Sequence, residues 1–280
     1  MSAVHEVMVV KLGGRTQDDP ALPGALAAAW RASGGRLVVV HGGGDAVSAL
    51  QRARGTTPAF VGGRRVTGAG DLDDLRMALS GLANKRVVAA LQQAGVPALG
   101  LSGEDGPLLV AAPAADARLG LVGEMGRAPA RVHADLLALL VGAGYCPVVS
   151  PVSASAAEPG AALNVNGDDA AAAVAGALGA AELFFLADVP GVLAGGQVVG
   201  TLDPAGARAL VAGGTAAGGM AAKLEAAVAA LASGVARVRI GDVAALGNPS
   251  AGTAMTGDAV TDGVVMDGVV APAGTVPAVV

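Results

Sequence analysis

The chain of 280 residues carries a formal net charge of -5, with scattered arginines and only 2% aromatic residues, so it offers no basic or stacking surface for nucleic acid. Its 53% apolar content is mostly alanine and valine broken by glycine and charge; it holds no stretch of roughly twenty unbroken apolar residues and no signal-peptide pattern, which argues against a membrane partner. The single cysteine, Cys146, has no partner for a disulfide and reads as a buried small hydrophobe in a reducing cytoplasm.

From the amino terminus, β-rich runs alternate with alanine-rich segments: strand 7–12, helix 22–32, strand 37–40, helix 46–53. The pattern continues with a helical segment 71–94, strand 98–101, helix 134–143 and strand 147–150. Between these, 61–67 and 119–132 are alternating or glycine-broken and predict two hairpins projecting from the sheet. A second series holds helix 168–178, strand 183–186, helices 204–211 and 220–232, and strand 235–240. This alternation predicts an α/β fold with a largely parallel sheet, and the break near 179–182 divides the chain into lobes 1–180 and 181–280. The tail 256–280 repeats Gly-Val-Val and Ala-Pro without helical periodicity; composition leaves open a hairpin, a partner-binding strand or a disordered end.

The strongest local signal is Lys11-Leu12-Gly13-Gly14 after one buried strand and His41-Gly42-Gly43-Gly44 after the next. Such turns lie at the carboxyl ends of parallel strands, where ligands bind, and glycine lets backbone N–H groups approach phosphate oxygens. Gly13, Gly14, Gly43 and Gly44 are therefore candidate phosphate cradles. Neither turn is a Walker A loop or a dinucleotide fingerprint.

Lysine is kept only at Lys11, Lys85 and Lys223. Lys11 beside its glycine turn and Lys223 after Gly218-Gly219-Met220 suit a phosphate as compact charges, while Lys85 reads as capping a solvated helix face. In Asn164-Val165-Asn166-Gly167-Asp168, alternation puts both asparagines on one side, and Asp168 is a candidate N-cap as well as a carboxylate to hold two lysines. Arg65, on the first predicted hairpin, offers a planar fork for a substrate carboxylate. His41 has no ligand-spaced partner and reads as a structural member of its turn, so no protein metal site is expected.

In order, Lys11-Leu12-Gly13-Gly14, His41-Gly42-Gly43-Gly44, Arg65-Val66-Thr67, Asn84-Lys85, Leu101 to Gly106, Val122-Gly123-Glu124, Asn164 to Asp168, Asp188 to Leu193 and Gly218 to Lys223 resemble the motif series of the N-acetylglutamate kinases, within the amino acid kinase family. The resemblance covers about residues 7–255 and implies a three-layer αβα sandwich with a mainly parallel central sheet, an acyl-amino-acid-binding amino-terminal lobe and a nucleotide-binding carboxyl-terminal lobe. It implies a cytoplasmic enzyme that phosphorylates N-acetyl-L-glutamate with ATP and Mg2+ in arginine biosynthesis. Lys11 and Lys223 would neutralise the transferring phosphoryl, Asp168 would orient both, and Gly14, Gly43 and Gly44 would donate backbone N–H bonds. Arg65 and Asn164, with Gly43 and Gly44, would hold the substrate, and Asp188, Gly191, Val192, Gly218, Gly219 and Met220 would line the nucleotide site. Three departures stand out: Gly167 in place of the usual alanine, Ala187 in place of threonine or serine, and the tail beyond Met255. Gly167-Asp168 also resembles kinases of carrier-protein-linked aminoadipate or glutamate in lysine biosynthesis, and a sensor that has lost catalysis is the other alternative. The short run before the first strand implies a homodimer insensitive to arginine.

Overall fold

The computed structural model describes residues 7–126 and 130–257. In chain order the elements are β1 (Met8–Leu12), α1 (Leu22–Ala32), β2 (Leu37–His41), α2 (Gly44–Ala53), β3 (Phe60–Val61), β4 (Arg64–Arg65), α3 (Ala69–Leu75) and, after a π-helical stretch Arg76–Ala83, α4 (Asn84–Gln93). There follow β5 (Ala98–Gly103), β6 (Leu109–Pro113), β7 (Val122–Glu124), β8 (Arg131–Val132), α5 (Ala134–Gly142), β9 (Cys146–Ser155), β10 (Ala162–Val165) and α6 (Gly167–Leu178). The last third holds β11 (Glu182–Leu186), β12 (Leu193–Ala194), β13 (Gln197–Val198), α7 (Pro204–Ala212), α8 (Gly218–Ala232), β14 (Arg237–Gly241), α9 (Val243–Leu246) and β15 (Thr253–Thr256).

The central strands run parallel in the order β14-β11-β1-β2-β9-β5, with β15 antiparallel on the β14 edge. Their sequences are nearly continuous apolar runs because both faces are covered. On β1 and β11 the side chains alternate: Val9, Leu183 and Phe185 join the core that includes α6 and α8, and Val10, Leu12, Phe184 and Leu186 join the core that includes α1 and α4. Two cores on opposite faces of one sheet make the three-layer sandwich. β1 and β11 pair along their whole length, so the sheet passes unbroken across residue 180. Cys146 is fully buried in the second core, and burial pushes its thiol up to about 12.

β9 is longer than the strand expected at 147–150. Past Pro151 it also pairs with β10 and β6, which in turn pair through β7, so four strands close on one another. This corrects the hairpin expected at 119–132: β7 and β8 do not pair with each other; each pairs with β6, β7 at Ala112 and Pro113 and β8 at Leu109 and Val110. β6 went unread because Leu109 to Ala112 are all buried, leaving no alternation for a pattern to catch. The hairpin expected at 61–67 forms as β3 and β4 around Gly62-Gly63, both at positive φ. The helical segment expected at 71–94 is one helical run, interrupted by the π-helical stretch. Of the tail, Thr256 ends β15 and residues 258–280 lie outside the described residues. Among the described residues no helix is long and apolar enough to cross a membrane.

Candidate active site at the carboxyl ends of the central strands

The chain leaves β1 toward β2 on one side and returns through β11 on the other, so β1 is where the strand order reverses, the place in open parallel sheets where ligands bind. Lys11 sits one residue before the end of this strand, facing α6, with 6% of its surface exposed. Asp168 lies in the first turn of α6, whose cap is Asn166 rather than Asp168 as expected: the Asn166 side-chain oxygen accepts from the Asp168 N–H at 2.7 Å and the Asp169 N–H at 3.4 Å. The substitution of roles has a physical reason, since capping by the asparagine leaves the carboxylate of Asp168 free for cations. One oxygen of Asp168 meets Lys11 Nζ at 2.8 Å and the other meets Lys223 Nζ at 3.5 Å. Lys223 reaches it from α8, which packs on α6. Burial lowers the pKa of Lys223, as does repulsion from Lys11, against the opposing pull of Asp168 and Asp188.

The two glycine turns touch. A Cβ on Gly14 would lie 3.6 Å from the Gly43 Cα, and Gly43, at φ +154°, would bring a Cβ within 2.7 Å of Leu79 in the π-helical stretch. Gln17 ties the turns together, its side-chain amide donating to Gly42 O at 2.8 Å and Gly13 O at 3.3 Å. His41 is wholly buried beneath them. Its Nδ1–H donates to Gly42 O at 2.9 Å, which leaves Nε2 as the acceptor for the Asn84 amide at 3.1 Å. Asn84 also donates to Val148 O at 2.8 Å. Burial above all drives the His41 pKa down to about 4, and the nearby Lys11 and Lys85 charges act in the same direction. The ring is therefore neutral at physiological pH and serves as a strut, not as an acid or base.

A cavity of about 240 Å³ opens beside this cluster, and Lys11, Gly14, Gly43, Gly44, Arg65, Asn164 and Asp168 all line it. Arg65 is 8% exposed and anchored on α2: it donates to Gly44 O at 2.8 Å, to Ser48 Oγ at 2.7 Å and to the Gln51 side chain, with its guanidinium 4.9 Å over the Phe60 ring. Burial lowers its pKa, opposed by Asp71 and Asp45. Asn164 donates to Thr67 Oγ1 at 3.0 Å, joining the β3–β4 hairpin to β10. Arg64 on the same hairpin reaches Asp169 at 3.1 Å and Glu124 at 3.5 Å. The amino ends of α2 and α6 both border the cavity and give it a positive potential suited to an anion.

Other expected residues lie elsewhere. Gly13 is outside the cavity lining and supports Thr16 and Gln17 through its carbonyl. Asp188, Gly218 and Gly219 are exposed and Met220 is partly so. Gly191 and Val192 are buried, with the Val192 N–H donating to Thr253 Oγ1 at 2.8 Å. Lys85 is exposed, as expected of a solvated face, yet its ammonium also donates to Asn84 Oδ1 at 2.9 Å and to Gly100 O at 3.3 Å. Sequence reasoning missed Gln17, Asn84 as a strut and Asn166 as the cap; only the last carried a signal, an asparagine before a helix start.

The profile of the amino acid kinase family matches residues 6–242. The chain is 45% identical over 242 residues to an acetylglutamate kinase of Chloroflexus aurantiacus, an alignment covering 86% of this chain and 93% of that protein. It is 43% identical over 240 residues to an acetylglutamate kinase of Cereibacter sphaeroides, covering 84% and 80%. Among solved structures, an N-acetylglutamate synthase of Neisseria gonorrhoeae in complex with coenzyme A and N-acetyl-glutamate superposes with a TM-score of 0.75 at 28% identity, over 91% of this chain and 61% of that one.

Proposed function

The chain belongs to the amino acid kinase family, and on that premise we propose that it transfers the γ-phosphoryl group of ATP to the side-chain carboxylate of N-acetyl-L-glutamate, yielding N-acetylglutamyl 5-phosphate for arginine biosynthesis. The observation that carries this reading is the buried Lys11–Asp168–Lys223 cluster beside two glycine turns.

A carboxylate acceptor is already ionised at neutral pH and needs no general base. Its oxygen forms the new bond to the γ-phosphorus as the bond to the bridging β–γ oxygen breaks, and the electron pair leaves with ADP. Catalysis then consists of positioning and of meeting charge on the transferring group. Lys11 and Lys223 supply two positive charges, and Asp168 sets the distance between them. Gly14, Gly43 and Gly44 leave room for backbone N–H groups to reach the phosphoryl oxygens. Arg65 and Asn164 line the acceptor cavity, where the Arg65 fork suits a carboxylate. Asp188 and residues 218–220, which open α8 ahead of Lys223, are proposed to border the nucleotide, and residues 1–180 and 181–280 to serve as acceptor and nucleotide lobes. Among the described residues no cluster of three or more His, Cys, Asp or Glu is spaced to hold a metal, and Asp168 already contacts two lysines. In this reading the ATP phosphates would carry Mg2+, which would supply further charge neutralisation.

The test is ATP consumption by purified protein with Mg2+ and N-acetylglutamate, trapping the acyl phosphate with hydroxylamine. Hydroxamate from N-acetylglutamate but not from glutamate, aspartate or carbamate is the expected result. Hydroxamate only from a carrier-linked aminoadipate would transfer the activity to the other acceptor class, and absence of ATP binding would make the chain a sensor.

A further inference from the structure

We propose that the cavity between α1, α2 and α4 is a second small-molecule site, taking a zwitterionic amino acid with an aliphatic side chain, and that its occupant acts on the phosphate cradle. At about 370 Å³ it is larger than the acceptor cavity of about 240 Å³ and falls in the size range of small-molecule sites. Its apolar wall comes from Leu22, Leu26, Val87 and Leu91, with small alanines between them. Asp18, Asp45 and Arg86 also line it, and all three are exposed. None of the ion pairs seen among the described residues involves Asp18 or Arg86. An apolar wall carrying one cation and two carboxylates without strong internal pairing complements a ligand that has an ammonium, a carboxylate and a hydrocarbon body.

The coupling to chemistry is structural. Gly14 and Gly43 line both cavities, so these two residues are the partition between them. Gln17, which also lines the second cavity, is the side chain that bridges the two glycine turns through Gly13 O and Gly42 O. A ligand that contacts Gln17 or presses on the partition changes the spacing of the turns without entering the acceptor cavity.

Calorimetric titration of the full chain with leucine and norleucine tests the site without any need for turnover. The expected result is saturable binding, weakened about tenfold or more by Arg86→Ala and when isoamylamine or isocaproate, each with one charge, replaces the zwitterion. Ala49→Phe, at an exposed cavity-lining position, should abolish it. A second titration, with a non-hydrolysable ATP analogue, should show at least a twofold change in nucleotide affinity when the site is filled. No saturable binding, or binding indifferent to both substitutions, overturns the site; binding that leaves nucleotide affinity unchanged overturns the coupling.

Discussion

The two oxygens of one carboxylate hold two lysines that otherwise repel each other. Lys11→Ala removes a charge aimed at the transferring group and should lower kcat about a hundredfold or more, as loss of other preorganised stabilisers does. Asp168→Asn keeps the shape but lets the ammonium groups separate, and should lower kcat while leaving the KM for N-acetylglutamate within about threefold, since Arg65 is untouched. Steady-state kinetics with both substrates varied would check the two variants. Lys223 makes a pH prediction. Because its pKa is depressed by burial and by Lys11, it loses its charge at a lower pH than an ordinary lysine. The alkaline fall of kcat should therefore begin below the usual lysine range, and Lys223→Arg, which stays charged, should move that limb upward at a lower maximal rate. An unchanged alkaline limb in the arginine variant would separate Lys223 from the chemistry.

At the scale of elements, the strut beneath the glycine turns joins α4, β2 and β9 through Asn84 and His41. The π-helical stretch just before Asn84 brings Leu79 against Gly43, while Ser80 meets Ser150 at 2.7 Å. Neutral His41 should appear in the acid stability of the fold. Its pKa is about 4 when folded against 6.5 in the reference state, so between these values the unfolded chain binds more protons. Stability is then unaffected above pH 6.5, falls as the pH drops below it, and the loss is complete below about 4, reaching on the order of 3 kcal/mol. Asn84→Ala leaves His41 Nε2 and Val148 O without their donor and should cost about 1–3 kcal/mol at neutral pH. It also removes a bond that favours the neutral ring, so the folded pKa should rise toward 6.5 and the acid-sensitive window should narrow. Denaturant unfolding of both proteins across pH 4–7 measures this directly.

At the scale of the whole molecule, β5 is an edge strand of the main sheet among the described residues. β5 pairs with β9 alone, and nearby Leu82 and Leu99 are 50% and 36% exposed. An exposed edge beside apolar side chains is a liability unless another chain covers it. This supports the proposed homodimer: light scattering should give twice the chain mass, and Leu99→Glu should shift it toward monomer without removing the Lys11–Asp168 pair. A monomeric parent protein would refute it.

The linear chain was enough to specify the α/β alternation, the parallel central sheet, the two glycine turns and the lysines beside them. Each rests on local chemistry: buried parallel strands read as apolar runs, and turns that face phosphate need glycine. Tertiary structure alone decided the rest. The closure of β6, β7, β9 and β10 depends on pairings between distant segments, and β6 has no alternation because both its faces are covered. The partners of Asp168 lie 157 and 55 residues away in the chain, and Gln17 and Asn84 are unremarkable amides until folding sets them beside carbonyls and an imidazole. Where the interaction is with a neighbour in sequence, the residue type announces it; where it is across the fold, burial and distance settle it, because a polar group taken from water must find whatever partner the packing brings.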